Sequence, residues 1–476
     1  MGATPDDGFI AFVKRDCPTC VLIEPVLQSL AKQGHALTVY SQDDPTFPSM
    51  SGVVDDRELE HSYRRAIETV PTLIRVQAGQ ESSRVIGWQR EEWVALTGAQ
   101  TLGAGLPDYR PGCGSRSVDP GMPERLAARY DADRLVARRV AVGDLEDEIE
   151  LCFERGWSDG LPLVPPTAER VMRMLQGTTR APGDVVGLVP PNHSPATVTK
   201  VAINAVMAGC KPEYLPVVLA AVEAALDPAF CLHGLLATTW FSGPMIIVNG
   251  PMAAAIEMNS RGNVLGQGNR ANATIGRALQ LLVRNVGGGK PQEADQATFG
   301  SPTKFGFCFA EDENTPWASL AEERGVERGR SAVTLFSADG PIGCADQKSR
   351  APEGLIASIA GTLKTIDHHQ MANAADVVVV IGPEHGRVFD DASWTKAEAT
   401  AALHAATRIQ GRDLGMGTDA AAPVAAADAG TLAKFREGGI QLVRAGGDAG
   451  MFSAIIPGWL MKGTLGTDPV TREIQT

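Results

Sequence analysis

Two cysteines three residues apart, Cys17 and Cys20, stand in "VKRDCPTCVLIEP" (13–25), between an apolar run and a helical pattern. A thiol in the first turn of a helix meets unpaired backbone N–H groups and the positive end of the helix dipole, and both favour a thiolate. Lys14 and Arg15 add positive charge beside it. The chemistry this points to is disulfide exchange, with Cys17 attacking and Cys20 resolving the mixed disulfide. Half of a zinc site, or two inert thiols, is the competing reading; a zinc site needs a second ligand pair, and the chain has no other C-x-x-C.

Further candidates lie downstream. Cys113 sits in "LGAGLPDYRPGCGSRSVDPG" (102–121), flanked by Gly112 and Gly114 with Arg110 and Arg116 nearby. It reads as a mobile, cation-flanked thiol able to shuttle to a distant site, or as a tolerated surface cysteine. Cys210 adjoins Lys211, Cys344 follows Gly343 in a polar loop, and Cys308 lies in an apolar strand; each is a candidate nucleophile, against the plain alternative of a buried small hydrophobe. Cys152 and Cys231 read as core. His385 beside Glu384 is the best general acid/base candidate, and Glu257 its carboxylate partner in a hydrolase or lyase. The pair His368-His369 with Asp367 could join His385 or Glu257 around a metal, although adjacent histidines on a helix diverge.

"GFIAFVK" reads as a buried strand, 20–34 as a helix stopped by Gly34, and "ALTVYSQ" as a second strand. A helix over 57–67, a hairpin from "TLIRVQAG" and "SSRVIG", and a closing helix in "REEWVALTG" complete a βαβ-αββα order over residues 1–100. The Gly- and Pro-rich stretch 101–121 reads as a linker. Residues 122–476 alternate helical patterns (197–209, 213–226, 272–286, 352–364, 395–409) with apolar runs such as "PMIIVNG", "SAVTLFSA", "VVVVIG" and "IQLVRAGG". That is an α/β domain with a mostly buried sheet, without an evident internal repeat. Three strands end in Asn249-Gly250-Pro251, Gly382-Pro383-Glu384-His385 and Arg444-Ala445-Gly446-Gly447, so Asn249, His385 and Arg444 would converge on one rim if the strands are parallel. In "NVLGQGNRANATIGRAL" Asn272 is read as an N-cap, with Arg270 and Arg277 either binding an anion or forming a solvated face. "GWSDGLPLVPPT" (156–167) is rigid and irregular; it reads first as a structural entry into the domain, with Trp157 and Asp159 standing out in it.

The first hundred residues resemble the thioredoxin-like superfamily. Cys17 and Cys20 match its dithiol, Pro25 its helix-kinking proline, Val70-Pro71-Thr72 its cis-proline segment, and Gly79 and Gly87 its turn and strand-end glycines. Lys14 and Pro18 look more like glutaredoxin, and Ala11 stands where thioredoxin has a buried acid, which puts the reductant and the proton route in doubt. The resemblance implies a cis-Pro71 that docks an extended partner beside the thiols, and an external thiol or thioredoxin-reductase-type reductant. Residues 150–325 are similar to a bacterial family sharing "GWSDGLPLVPPT", "VAINAVMAGC" and "NRANATIGRAL", associated with selenoprotein-like proteins bearing Sec-Gly-Ser-Cys, whose chemistry is like that of glycine reductase. Cys113-Gly114-Ser115-Arg116 matches that motif in part. This second resemblance implies thiol chemistry and a selenoprotein-like or thiol partner, and assigns no catalytic residue.

Composition bounds the rest. The 476 residues imply two or three domains, and a net charge of −13 argues against nucleic acid and anionic membranes as partners. The acidic opening "MGATPDDGFIAF" is unlike a secretory leader, and no apolar run reaches the ~20 residues of a membrane span, so a cytoplasmic protein is expected. The leading expectation is a thiol-dependent enzyme on a small molecule, performing reductive carbon–heteroatom cleavage or sulfur transfer, with Cys17/Cys20 regenerating a cysteine of the large domain. The alternatives are a redox-sensing assembly protein and the His385/Glu257 hydrolase or lyase; an oligomer suits any of them.

Overall fold

The computed structural model describes residues 7–368, 371–411, 430–459 and 466–475. The chain is α/β and divides into two compact units, Met1–Arg134 and Leu135–Thr476. His369 and most of the Ala-rich stretch after Gly417 lie outside the described residues.

The first unit opens with β1 (Gly8–Val13), α1 (Pro18–Leu22), α2 (Glu24–Lys32), β2 (Leu37–Ser41), β3 (Val53–Asp55) and α3 (Glu60–Arg64). It continues with β4 (Thr69–Val70), β5 (Thr72–Gln77), β6 (Gln80–Ile86), β7 (Trp88–Gln89) and α4 (Arg90–Thr97). One sheet runs β3-β2-β1-β5-β6, with β2 parallel to β1 and β5 antiparallel to it. β1 is central because "FIAFV" is buried on both faces. The single helix expected after Cys17 is two, broken at Ile23, since Pro25 has no N–H to continue the ladder and occupies the first turn of α2.

The stretch expected as a linker is folded onto this unit. β8 (Tyr109–Arg110) pairs antiparallel with β7, and β9 (Cys113–Gly114) with β4, before α5 (Met122–Tyr130). Trp88 Nε1 donates to the Pro107 carbonyl (2.6 Å), and Ser115 N donates to the Glu68 carbonyl (2.9 Å). Gly112 explains the composition: a Cβ there would lie 2.7 Å from the Val70 carbonyl oxygen. Glycine serves close backbone approach here, not flexibility.

The second unit begins with α6 (Glu148–Glu154), α7 (Ala168–Leu175), the hairpin β10 (Val185–Val189) and β11 (Ser194–Thr197), α8 (Val198–Ala208), α9 (Leu215–Ala225) and α10 (Leu232–Ala237). α8 and α9 are apolar nearly all round and lie in the core. Then come β12 (Gly243–Asn249), α11 (Pro251–Ala255), α12 (Arg270–Leu282), β13 (Phe307–Ala310), α13 (Leu320–Glu323), β14 (Ala332–Ala338) and β15 (Ile342–Ala345). The chain closes with α14 (Pro352–Thr365), β16 (Ala375–Ile381), α15 (Pro383–Asp391), α16 (Lys396–Ala406), the short pair β17 (Ile409–Gln410) and β18 (Thr431–Leu432), β19 (Phe435–Arg444), β20 (Phe452–Pro457) and β21 (Val470–Glu473). No single helix among the described residues is long and apolar enough to cross a membrane.

The long strands divide between two four-stranded sheets, β13-β12-β14-β21 and β19-β16-β20-β15. Written in that order the two share one pattern: a parallel pair, then two antiparallel partners. β12 and β16 each run into a Gly-Pro that starts a helix, Gly250-Pro251 and Gly382-Pro383. The outer strands are exchanged, since β14 leads directly to β15 of the other sheet and β20 is followed by β21 of the first. The second unit therefore contains a strand-swapped structural repeat, where no repeat was evident from the sequence.

Near the C-terminus of α14, Lys434 is fully buried and donates to the carbonyls of Lys364 (3.0 Å), Ile366 (2.7 Å) and His368 (3.3 Å). Asp367 stands beside it with no hydrogen bond to either carboxylate oxygen, and burial, then Asp339, push its carboxyl up to about 6. A carboxyl raised above its unfolded value near 3.9 stabilises most below that value and loses this contribution as pH rises through about 6. Asp367→Asn should therefore stabilise the second unit above pH 7 by on the order of 1–2 kcal/mol and do little at pH 4. Urea midpoints at the two pH values check this; an equal shift at both would sink it.

Candidate functional site

β1 delivers Cys17 to the N-cap of α1. Cys20 N donates to Cys17 Sγ at 3.4 Å, and Cys17 Sγ lies 3.5 Å from the Val70 carbonyl oxygen, next to the cis Val70–Pro71 peptide. The Cys17 thiol is lowered to about 5, first by the hydrogen bond from the Cys20 thiol, and further by the Cys113 thiol and the backbone N–H groups of Cys20 and Thr19. The backbone N–H groups of the helix start contribute after the two neighbouring thiols. Burial, then the proton Cys20 shares with the Cys17 sulfur and the charge on that sulfur, drive the Cys20 thiol strongly upward. The expected tuning by Lys14 and Arg15 is redirected: Lys14 Nζ is 3.3 Å from Asp16, and Arg15 is paired with Asp44 at 2.5 Å.

Cys113 is the third member. In the β4–β9 pair it stands opposite Val70, and its thiol is raised first by burial and then by the neighbouring Cys17. Both flanks of Cys113 are anchored. Thr19 Oγ1 donates to the Pro111 carbonyl (2.7 Å), while buried Gln42 donates to Ser115 Oγ (2.6 Å) and accepts from Arg116 N (3.1 Å). Cys17 is 0% exposed, whereas Cys113 is partly exposed. The expected mobile shuttle is instead a clamped thiol, because the backbone is tied down at Pro111 before it and at Ser115 and Arg116 after it.

Three cysteines of the second unit, Cys210, Cys308 and Cys344, are poorly placed as nucleophiles, while Cys231, expected in the core, is half-buried. Cys210 is buried, bonds to the Thr274 carbonyl (3.4 Å) and is pushed up by burial to about 12. Burial also raises Cys308 and Cys344, so the expected exposure of Cys210 and Cys344 is corrected.

His385 is fully buried, its ring nitrogens taken by Ser453 Oγ (2.8 Å) and the Asp346 carbonyl (3.2 Å), and burial lowers its pKa. Glu384 pairs with Arg387 (3.4 Å), and Glu257 is exposed on the turn after α11. His385 is thus a tie between α15 and β20, and not a rim acid/base. Among the described residues no three His, Cys, Asp or Glu are grouped to hold a metal.

Asn249 and Arg444 do meet, through the segment after β13. Asn249 Nδ2 donates to Glu311 (2.7 Å) and Glu313 (2.9 Å), and Asp312 N donates to the Arg444 carbonyl (2.7 Å). Arg444 is buried over the Trp317 ring (4.4 Å) and paired with Asp390 (2.5 Å), in space that Gly386 leaves open. The two residues knit the two sheets together.

The expected anion loop is likewise committed to the protein. Asn269, and not Asn272, caps α12, while buried Asn272 bridges Asn259 N (3.0 Å) and O (2.9 Å). Arg270 Nε donates to the Gly209 carbonyl (2.9 Å). Arg277 grips Asp159 with two bonds of 2.7 Å and also reaches the Leu161 and Pro162 carbonyls. This fork pins "GWSDGLP" to α12, which accounts for Asp159.

A cavity of about 570 Å³ lies beside that string, lined by Trp157 and Thr167 among others. Arg138, Arg139 and Lys200 outnumber Glu148 on its wall. On its wall Asn285 Nδ2 donates to Asn204 Oδ1 (3.0 Å), and Asn285 Oδ1 is buried without a partner. Sequence reading passed over Lys200, Asn204 and Asn285. The available signal was an Asn inside the apolar helix "VAINAV" and another before three glycines, where the backbone forms a π-turn (Val283–Gly287).

No family model, no curated protein and no solved structure matches the chain.

Proposed function

We propose that the chain is a thiol-dependent enzyme acting on a small molecule, in which Cys17 and Cys20 restore a client thiol after each turnover. The observation that carries this reading is geometric: Cys17 caps α1, Cys20 N donates to its Sγ (3.4 Å) and the Val70 carbonyl oxygen lies 3.5 Å away, with Cys17 lowered to about 5 and Cys20 driven up by burial. Such a pair offers one thiol ready to attack and one held protonated until a mixed disulfide forms. The thioredoxin-like reading of the first unit is supported by the strand order β2-β1-β5-β6, with the dithiol at the helix start after β1 and Val70-Pro71 beside it.

The substrate pocket of this reading is the cavity at Trp157 and Asn285. Its size suits a small organic molecule, and its excess of cations suits an anionic one with an apolar body. Reductive cleavage of a carbon–heteroatom bond or sulfur transfer is the reaction class. An external thiol or a thioredoxin-reductase-type reductant refills the dithiol, and the setting is the cytoplasm, where free thiols persist. A selenoprotein-like or thiol protein is the partner this reading accommodates.

The test is to reduce the full chain, remove the reductant, add one equivalent of oxidised glutathione and map disulfides by mass spectrometry. Cys17 is expected in a disulfide before any cysteine of the second unit is oxidised. Free Cys17 and Cys20 alongside oxidised Cys210, Cys231 or Cys344 would overturn the reading.

A further inference from the structure

We propose that Cys113 is itself the client thiol: a strand built into the first unit presents it to outside disulfides, and Cys17 and Cys20 recycle it. The inference rests on the dithiol reading above and names what that dithiol serves.

Three independent features of the first unit carry it. The first is placement. β9 pairs antiparallel with β4 and sets Cys113 opposite Val70, whose carbonyl oxygen is 3.5 Å from Cys17 Sγ. This is strand addition to a backbone edge, the way a sheet takes up an extended peptide segment, performed here by the chain's own residues. The second is commitment of the local structure. Gly87 and Gly112 permit backbone-to-backbone contact, the nearest Gly112 atom lying 3.0 Å from where a Gly87 Cβ would be. Beyond Cys113, Ser115 is fully buried in hydrogen bonds with Gln42 and Ser117. A tolerated surface cysteine needs none of this. The third is access. The strand leaves Cys17 and Cys20 0% exposed while Cys113 keeps an open side, so a molecule arriving from solvent meets Cys113 first.

The chemistry closes without another oxidant than the disulfide substrate, RSSR. Cys113 sulfur attacks RSSR and gives its proton to the Cys17 thiolate; a Cys113–SR bond forms and RS⁻ leaves to take up a proton from water. Cys17 returns that proton to solvent and attacks Cys113 sulfur, forming Cys17–Cys113 and releasing the second RS⁻, which takes up a proton from water. Cys20 then attacks Cys17, forming Cys17–Cys20, and its proton goes to the freed Cys113. The two protein thiols of Cys17 and Cys20 are oxidised, and RSSR is reduced to two RSH. Burial of Cys20 makes it the last thiol to act, and Cys113 is again a thiol at the end.

Three full-length variants test this with oxidised glutathione as the probe. Cys20→Ser should stop at a Cys17–Cys113 disulfide formed within one chain, independent of protein concentration. Cys17→Ser should hold glutathione on Cys113. In Cys113→Ser the strand still covers Cys17, and oxidation of Cys17 should slow by at least about tenfold, access being what limits a thiolate already formed. Gly112→Val, whose side chain would collide with Thr69 and the Val70 carbonyl, should lift the strand and restore that rate in the Cys113→Ser background. Oxidation of Cys17 at the native rate in Cys113→Ser, or a lasting glutathione adduct on Cys17 in Cys20→Ser, would overturn the inference and leave the dithiol reading intact. Absence of any Cys17 disulfide in the native chain would remove the dithiol reading itself.

Discussion

Changing Cys17 to serine is expected to end disulfide formation in the first unit, and to erase a step near pH 5 in thiolate ultraviolet absorbance that the native chain should show. A serine hydroxyl has no anion to offer at these pH values, whereas Cys17 titrates at about 5 through its hydrogen bonds from Cys20 and Cys113 and the helix N–H groups. At pH 6, lowering a thiol from about 8.5 raises its thiolate fraction about 300-fold. The more acidic thiolate is a weaker nucleophile by roughly 30–60-fold, which leaves a gain of about tenfold over an ordinary cysteine. The same shift bears on stability. The folded value is below the unfolded one, so the contribution is complete above the unfolded value and is lost as pH falls through about 5. It bears on redox poise as well. A stabilised thiolate favours the reduced form, so the Cys17–Cys20 pair should titrate at a more oxidising potential than thioredoxin's, about −270 mV. Such a pair is easily refilled by a common thiol, which suits a module that must be re-reduced each cycle. An absorbance step between pH 8 and 9, unchanged by Cys17→Ser, would remove the basis for all three expectations.

How far these features could be read from residues depends on how far apart their partners lie. The dithiol was legible because everything that tunes Cys17 within its own turn, from the apolar strand to the backbone of Thr19 and Cys20, is contiguous. Cys113 was found as a residue and misjudged as a setting. Glycine and proline signal a mobile linker and a backbone packed against another equally, and only Thr69 and Val70, some 40 residues earlier, decide between them. His385 looked like an acid/base because Ser453, which occupies its Nδ1, is 68 residues away. Arg277 looked like an anion ligand because Asp159 is 118 residues away. The repeat in the second unit left one trace, the Gly-Pro after β12 and after β16. Both turns were noticed, but the shared pairing pattern is a property of the sheets and not of any string. The α/β class and five of the large helices followed directly from apolar periodicity, which needs no long-range partner.

Lys434→Met is expected to destabilise the second unit by about 2–4 kcal/mol, lowering its urea midpoint with little change in slope. Lys434 is buried completely, and its ammonium group holds three carbonyls at the end of α14, those of Lys364, Ile366 and His368. A helix C-terminus leaves such carbonyls without partners, and here a side chain supplies them. Methionine matches the stem in length and apolar character, so packing is largely kept and the missing donors dominate. Relief of burying a charge works in the opposite direction, as the lowered pKa of Lys434 indicates, and it keeps the loss below the sum of three charged hydrogen bonds. The pH dependence distinguishes this account from a general packing defect. Lys434 is the cation that holds the Asp367 carboxyl down, so without it that carboxyl titrates higher still and its ionised form costs more. The penalty of Lys434→Met should therefore widen as pH rises through about 6, and adding Asp367→Asn should recover the widened part but not the rest. A change under about 0.5 kcal/mol, ordinary for a surface substitution, would mean that water or another donor serves the α14 terminus. A large but pH-independent loss would keep the cap and refute the coupling to Asp367.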